Sequence, residues 1–309
     1  MNDLKKTRAI EKKKSDFMSC YPKLNGKTMI MGVGAPRAGT SWLFQFLRTY
    51  DEIACSPIKE VHYFDTRYVP HLSGDWNRDF ELATAEALLA KPHSVHGGKS
   101  RLRRIKAYRE ALIDRVRMDY CPEGYLDHFD RLCGSDQKYL CEITPAYMML
   151  QADHFRKVEA LFSAHDIKLK IIFLMRDPAS RHWSQLKYQQ ARGKIEDARA
   201  ELEKSFESSV LYERTRYDKT ITELEKAFPA NMLFYGFYEN LFSSETVAAI
   251  QKFLGLPAKP ASFDQVINRS VKTKSIDENS FGRLRDHYAE VYDFCQSRFG
   301  DRLPEEWRD

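Results

Sequence analysis

Residues 29–43 read MIMGVGAPRAGTSWL, an apolar run that leads into a loop bracketed by glycines. Gly34 and Gly39 enclose four residues, and a helical pattern begins at Thr40. A strand, a glycine-containing loop and a helix N-terminus in this order form an anion cradle, because their backbone N–H groups point at the ligand. The stretch predicts a phosphate-binding loop, although an ordinary strand-to-helix turn has the same spacing.

This loop lacks the lysine of the G-x-x-x-x-G-K-[ST] pattern, and Thr40 stands in its place. In that pattern the lysine reaches the terminal phosphates of ATP or GTP. The only cation inside the loop is Arg37. The sequence therefore predicts an anionic nucleotide other than ATP or GTP, with Arg37 as the cation of its cradle.

A second motif begins with residues 170–178, KIIFLMRDP, and continues to Ser184. The apolar strand delivers Arg176 to the carboxyl edge of the sheet, and Pro178 starts the next helix. We expect Arg176 and Ser184 to converge on one oxyanion. Two other readings stay open: Asp177 is a magnesium ligand, or it forms a local ion pair with Arg176.

A third segment, residues 57–65, reads PIKEVHYFD. Glu60 lies beside Lys59 and among aromatic residues, a setting in which a carboxylate with a raised pKa serves as a general base. His62 is the rival base, because its ordinary pKa already lies near neutrality. A solvated Lys59–Glu60 pair on a strand edge is the alternative without a function.

Short apolar segments alternate with helical patterns along most of the chain. This alternation predicts an α/β fold with a P-loop-like parallel sheet covered by helices on both faces. We predict a basic N-terminal segment at residues 1–27 and a single domain at 28–309. A helical insertion near 68–135 is expected to face the substrate, with a helical pattern at 81–90 and a basic stretch at 99–118. Residues 193–204 are expected to be a mobile loop or an exposed helix.

Composition excludes several classes of function. The 309 residues carry a net charge of only +5, which does not predict a nucleic-acid partner. The six cysteines have no C-x-x-C spacing, so neither a zinc site nor a disulfide framework is predicted. No apolar run has the length of a membrane span, and the basic N-terminus lacks the apolar region of a signal peptide. We therefore expect a cytoplasmic protein. Its oligomeric state is not predicted.

Together the three segments resemble the sulfotransferase superfamily, which uses 3′-phosphoadenosine 5′-phosphosulfate (PAPS). The P-R-x-G-T-[ST] loop is similar to its 5′-phosphosulfate loop, and R-D-P-x-x-R-x-x-S is similar to its 3′-phosphate motif. Residues 234–241 (FYGFYENL) and 250–256 (IQKFLGL) are similar to a strand and a helix of the family. KEVHYFD and EITPAY look most like the heparan sulfate branch, in a soluble bacterial-type member. One departure is Ile143, where the heparan-type pattern has lysine.

The resemblance implies roles residue by residue. Arg37 contacts the 5′-phosphate and the bridging oxygen, and Glu60 is the general base, with Lys59 and His62 beside it. The 3′-phosphate is held by Arg176 and Ser184. The remaining cofactor-binding residues are those of the loop and of a basic lid at 269–274: Ala38, Gly39, Thr40, Ser41, Trp42, Arg269 and Lys272.

The resulting hypothesis is in-line transfer of a sulfuryl group from PAPS to an acceptor hydroxyl, most plausibly on an oligosaccharide or polysaccharide. A sulfuryl group in transfer carries less negative charge than a phosphoryl group, so no metal is predicted. Two alternatives stay open. One is a P-loop kinase or phosphotransferase that uses ATP and magnesium, and the other is a catalytically silent protein that binds PAP (3′-phosphoadenosine 5′-phosphate) or carbohydrate.

Overall fold

Five parallel strands form one sheet in the order β2–β3–β1–β4–β5. The structure is a computed structural model that describes residues 21–72, 98–263 and 276–308, without the side chains of 98–105. The strands are β1 (Thr28–Gly34), β2 (Ile53–Cys55), β3 (Tyr139–Ile143), β4 (Lys168–Met175) and β5 (Leu233–Phe237). The sheet is flanked by helices, so the predicted α/β class is confirmed.

The strands at the centre of the sheet have the most apolar sequences. In β4 every residue from Ile171 to Met175 is fully buried. Parallel strands that are covered on both faces read as continuous apolar runs rather than as alternating patterns. The register pairs Ile171 with Leu233 in β5. At the other edge, Cys55 of β2 pairs with Cys141 of β3.

Twelve α-helices lie within the described residues. They are α1 (Thr40–Leu47), α2 (Tyr63–Tyr68), α3 (Gly98–Tyr120), α4 (Gly124–Leu132), α5 (Ala152–Ala164), α6 (Pro178–Ala191), α7 (Leu202–Ser205), α8 (Ser209–Glu213), α9 (Tyr217–Ala227), α10 (Ser244–Leu254), α11 (Glu278–His287) and α12 (Ala289–Phe299). Short 3₁₀-helices occur at Pro145–Met149, Ala230–Met232, Gly300–Arg302 and Glu305–Trp307. None of these described helices is long and apolar enough to cross a membrane.

The element bounds agree with the sequence patterns except in a few places. The sequence pattern of residues 280–299 predicts one C-terminal helix, but the structure divides it at Tyr288. The φ of −109° and ψ of 18° at Tyr288 leave the helical region. The ring of Tyr288 is buried, so packing fixes the break. The 193–204 segment contains turns and the start of α7, with Ala198 and Leu202 buried. The expected helix at 81–90 lies outside the described residues.

The chain divides into two compact units, which are described separately below. Unit 1 comprises Met1–Met31, Leu47–Thr144 and Arg156–Lys170, and unit 2 comprises Gly32–Phe46, Pro145–Phe155 and Ile171–Asp309. Each unit has its own aromatic core, in which edge-on ring contacts add to apolar burial. In unit 1 the core contains Phe64, Tyr125, Phe129 and Phe162. In unit 2 it contains Phe173, Tyr217, Phe237, Phe299 and Trp307.

Candidate active site

In unit 2, the loop between β1 and α1 needs its two glycines for different reasons. A Cβ on Gly34 would lie 2.8 Å from the ring of Phe173, so the loop leaves the strand through a gap that only glycine fits. Gly39 has a φ of +85°, and a Cβ there would lie 2.3 Å from Leu241. The Gly39 carbonyl accepts a hydrogen bond from the N–H of Leu43, so α1 starts directly at the end of the loop. The N–H groups in the first turn of a helix point along its axis, an arrangement that suits an anion.

The predicted loop cation and the predicted anion motif meet in this unit. The Nε–H of Arg37 donates to Oγ of Ser184 on α6 at 3.2 Å. From the end of β4, an Nη1–H of Arg176 donates to the Arg37 carbonyl at 3.4 Å. The Arg37 backbone has a φ of 68°, a left-handed conformation that few arginines adopt. Arg37, Arg176 and Ser184 therefore form one cluster.

Two tyrosines that the sequence reading did not single out support the arginines. The guanidinium of Arg37 lies 4.7 Å from the ring centre of Tyr188, and that of Arg176 lies 4.4 Å from the ring of Tyr238. Cation–π contacts of this kind hold a guanidinium in place without neutralising it. Burial, together with the charge of Arg176, lowers the pKa of Arg37. The cluster is thus arranged to receive negative charge.

An open cavity of ≈ 860 Å³ begins at Arg176. Its wall includes Tyr238 and Phe242 after β5, and Phe281 and Arg285 on α11. The volume falls within the range of small-molecule sites. Besides these aromatic and cationic groups, the wall carries four carboxylates: Asp177, Glu239, Glu278 and Glu306.

Trp42 of the loop region is packed rather than open. Its indole is 6% exposed. It stacks on Phe46 at 5.4 Å and on Phe263 at 5.9 Å, and its Nε1–H donates to the Ser262 carbonyl at 3.2 Å. The ring is therefore buried among aromatic neighbours.

Asp177 is engaged in holding helices together. Its Oδ1 accepts the Ser180 N–H at 2.7 Å and so caps the N-terminus of α6. Its Oδ2 accepts the hydroxyl hydrogen of Tyr292 and lies 3.8 Å from Nη1 of Arg285. Both carboxylate oxygens therefore have partners, which accounts for this buried acid without a bound ion. The nearby Arg176 is not its ion-pair partner among the described residues.

In unit 1, the segment that follows β2 carries the predicted catalytic residues. The N–H of Glu60 donates to the carbonyl of Ile143 at 3.2 Å, which ties the segment to the end of β3. Glu60 has a φ of 67° and His62 a φ of 54°. Two left-handed residues so close together turn the chain sharply before α2 begins at Tyr63.

The side chains of this segment form a continuous network of charges. Glu60 pairs with Lys59 and keeps 40% of its side chain exposed. His62 Nε2 lies 3.5 Å from Glu60 Oε2, and His62 Nδ1 lies 2.7 Å from Oδ2 of the fully buried Asp65. The imidazole is therefore held between two carboxylates.

The same contacts set the protonation states. The dense surroundings of Glu60 oppose its ionisation, but Lys59 and His62 outweigh them and hold its pKa well below the ordinary value. Burial lowers the pKa of His62, while hydrogen bonds to Asp65 and Glu60 overcome this and raise it to about 9. At neutral pH, Glu60 is therefore ionised and His62 is an imidazolium. The raised pKa that the sequence predicts for Glu60 is wrong, because Lys59 and His62 stabilise its charged form, and a carboxylate with a lowered pKa is a weaker base.

A buried chain of hydrogen bonds holds the start of this segment, at Ser56. Ser56 Oγ lies 3.1 Å from His128 Nε2 on α4, and His128 Nδ1 lies 2.9 Å from Asp114 Oδ2 on α3. The order resembles a Ser–His–Asp triad, but Ser56 and His128 are buried, so no substrate reaches the serine. These contacts fix the start of the Glu60 segment against two helices.

Comparison with known proteins gives the family. The family model described as the sulfotransferase domain matches residues 27–287. The chain belongs to the sulfotransferase domain family. It is a sulfotransferase enzyme of the PAPS type, and the family generally uses PAPS as its sulfonate donor. No curated protein sequence matches the chain significantly.

Three solved structures are similar to this sulfotransferase, and the first of them supports its fold. A sulfotransferase from Alicyclobacillus acidocaldarius superimposes with a TM-score of 0.57 at 18% identity, covering 92% of this chain and 99% of the other. A sulfotransferase domain from the curacin biosynthetic pathway gives 0.43 at 12% identity, over 86% and 98% of the two chains. Sulfotransferase STF9 from Mycobacterium avium gives 0.40 at 13%, over 91% and 81%.

The structure also bears on the remaining sequence predictions for this sulfotransferase. Arg269 and Lys272 lie outside the described residues, so their place in the site stays a prediction. Ile143 is fully buried on β3 and presents no substitute for the missing lysine. Sequence reasoning did not find Tyr188 and Tyr238. Their signals were weak: Tyr188 lies one helical turn after Ser184, and Tyr238 directly follows β5.

Proposed function

We propose that the enzyme binds PAPS through the cluster of Arg37, Arg176 and Ser184 and transfers its sulfuryl group to an acceptor hydroxyl. The observation that carries this proposal is the hydrogen bond between Arg37 and Ser184, with Arg176 on the Arg37 carbonyl, because it joins the two nucleotide motifs of the sequence. In the proposed roles, Arg37 faces the 5′-phosphosulfate, and Arg176 and Ser184 hold the 3′-phosphate.

The loop and the cavity complete the proposed donor site. Residues 39–41 hold the 5′-phosphate at the start of α1, where the helix dipole favours an anion. The Ala38 N–H already donates to the Ala35 carbonyl at 3.2 Å, so Ala38 contributes through its place in the loop. The adenosine occupies the ≈ 860 Å³ cavity beside Arg176, where Tyr238, Phe242 and Phe281 offer aromatic surface. Trp42 contributes by bracing the loop, since its indole is buried and stacks on Phe46 and Phe263.

We assign the general base to Glu60 rather than to His62. Glu60 takes the acceptor proton as the acceptor oxygen forms its bond to sulfur and the bond from sulfur to the bridging oxygen of PAPS breaks. Arg37 stabilises the negative charge that develops on that bridging oxygen. The support is that the ionised Glu60 is free to take up a proton, whereas His62, with its pKa raised to about 9, already carries one at neutral pH. The lowered pKa of Glu60 weakens it as a base but keeps it unprotonated. Lys59 and His62 orient the carboxylate.

For the acceptor we propose a carbohydrate hydroxyl, as in the heparan sulfate branch that the sequence resembles. The support is the KEVHYFD segment and the EITPAY segment. Glu142 of the latter accepts hydrogen bonds from Tyr125 and from Thr144, the second at 3.0 Å. Because Ile143 replaces the lysine of the heparan pattern, we propose an oligosaccharide or polysaccharide that is less acidic than heparan.

Two broader predictions are kept as proposals. We propose that residues 28–309 work as one catalytic domain, supported by a family match that spans both units. We also propose that the enzyme acts in the cytoplasm. The support is that Cys55, Cys121, Cys133, Cys141 and Cys295 are all free thiols, as expected in a reducing compartment.

The proposal is tested by sulfate transfer from PAPS across a panel of oligosaccharides, phenols and lipid alcohols, detected by mass spectrometry. With an acceptor that the wild type sulfates, Glu60→Gln is expected to lower kcat by about 100-fold or more, because the proton acceptor is lost. Its affinity for PAP, measured by calorimetry, is expected to stay within about twofold of wild type.

Glu159→Gln is the matched control, because Glu159 is an exposed carboxylate on α5. It is expected to keep wild-type kcat. Full activity of Glu60→Gln would remove Glu60 as the base. Sulfation of phenols or lipid alcohols without any sulfation of sugars would reject the carbohydrate acceptor but keep the donor site.

A further inference from the structure

Three cations of unit 2, grouped at one face of α6 and the end of β4, have no acidic partner among the described residues. Arg216, Arg283 and Arg298 each pair with a carboxylate at 2.5–2.7 Å. By contrast, no residue in the described part of the chain forms an ion pair with Arg37, Arg176 or Lys187. Unpaired cations that repel one another are costly unless an anion is present, so their grouping indicates an anion site.

Lys187 is the member of this group that neither the sequence motifs nor the proposed site includes. It lies on α6, three residues after Ser184 and next to Tyr188. Side chains three and four residues apart share one face of a helix. Because Arg37 donates to Ser184 and lies over Tyr188, the Arg37 side chain runs along the same face of α6.

The side chain of Lys187 is partly exposed, and its Nζ lies 5.9 Å from the ring centre of Trp183. Burial first, and then the charges of Arg176 and Arg37, lower its pKa. Of the two arginines, Arg176 has the larger effect. The positive charges of both arginines therefore act on the ammonium group of Lys187, as expected from the face of α6 that it shares with Ser184 and Tyr188.

We propose that Lys187 is a specificity residue that contacts the 3′-phosphate of the nucleotide together with Arg176 and Ser184. This inference rests on the proposed function. A mobile four-carbon stem with three N–H donors reaches a phosphate that arrives between α6 and the end of β4. Lys187 thereby favours nucleotides with a 3′-phosphate over those without one.

The test compares the affinities of PAP and 5′-AMP, which differ only in the 3′-phosphate. Isothermal titration calorimetry is performed on the full chain as wild type and as Lys187→Gln, which keeps a polar side chain that is one atom shorter and removes the charge. We expect the affinity for PAP to fall about tenfold, while the affinity for 5′-AMP stays within about twofold. Lys187→Arg is expected to recover most of the preference for PAP.

Lys252→Gln is the matched control, because Lys252 is an exposed lysine on α10. It is expected to bind both nucleotides as the wild type does. Equal losses for PAP and 5′-AMP in Lys187→Gln, or no loss for either, would overturn the role of Lys187. A wild-type protein that binds PAP no more tightly than 5′-AMP would instead overturn the proposed donor site, so the two failures are distinguishable.

Discussion

Three residues of the proposed site have a positive φ, a backbone conformation that residues other than glycine rarely adopt. Among the described residues, Arg37, Glu60, His62 and Asp166 are the non-glycine positions with a positive φ. Such a conformation costs about 1 kcal/mol or more, and it persists where the surrounding contacts impose it. The residue types of Arg37, Glu60 and His62 were enough to predict them as site residues. Their backbone geometry was not predictable, because neither arginine nor glutamate favours that region.

His62 makes the stability of the protein depend on pH. Its folded pKa of about 9 lies above the unfolded value near 6.5, owing to Asp65 and Glu60. The stabilisation is complete below about pH 6.5 and is lost as the pH rises through about 9. We expect the free energy of unfolding, measured with urea, to fall by roughly 2–3 kcal/mol across this range relative to His62→Gln.

His62→Gln is the baseline for the wild type, since the two proteins share every other titrating group. His182, whose pKa is lowered to about 3 by burial and by Arg181, does not titrate within this range. Parallel curves for wild type and His62→Gln between pH 6.5 and 9 would show that His62 is not held as an imidazolium.

At the scale of elements, functional residues follow the ends of strands. In unit 2, β1 leads to Arg37, β4 to Arg176 and β5 to Tyr238. The placement of Arg37 and Arg176 was predictable, because parallel strands of buried apolar residues are recognisable in sequence and ligands bind at their carboxyl ends. Tyr238 was not predicted. The partners within a helix were less predictable. Nothing in the spacing of α6 distinguishes Tyr188 or Lys187 from ordinary surface residues until Arg37 is seen to lie along that face.

Asp177 at the N-terminus of α6 gives a prediction about stability. The same substitutions also separate sulfuryl transfer from a magnesium-dependent kinase mechanism. Asp177→Ala removes the cap on Ser180 and the acceptor for Tyr292. We expect it to lower the free energy of unfolding by about 2–4 kcal/mol in urea denaturation. Asp177→Asn keeps an oxygen for the cap but loses the charge opposite Arg285, so we expect a smaller loss of about 1 kcal/mol.

The same variants address the kinase alternative. If Asp177 has only its structural role, Asp177→Asn binds PAP as the wild type does, and magnesium changes nothing. Loss of a magnesium-dependent affinity for ATP in Asp177→Asn, with unfolding free energy unchanged, would assign Asp177 to metal binding instead.

For the whole molecule, the family assignment extends across both units, because it covers residues 27–287. The sequence predicted the class of the fold and the order of its main elements. It did not predict two compact units, since their boundaries fall within β1 and β4, where no change of composition marks them. The identity of the acceptor could not be predicted either, because acceptor specificity depends on surface loops rather than on the shared core.

The central claim is that the cluster of Arg37, Arg176 and Ser184 binds the donor nucleotide of a sulfotransferase. It is tested most directly by calorimetric titration of PAP and of ATP, each with magnesium and with EDTA, into wild type and Arg37→Ala. We predict that the wild type binds PAP with the same affinity in both buffers and that Arg37→Ala weakens PAP binding at least about tenfold. Tight ATP binding that requires magnesium, with no PAP binding, would contradict the account.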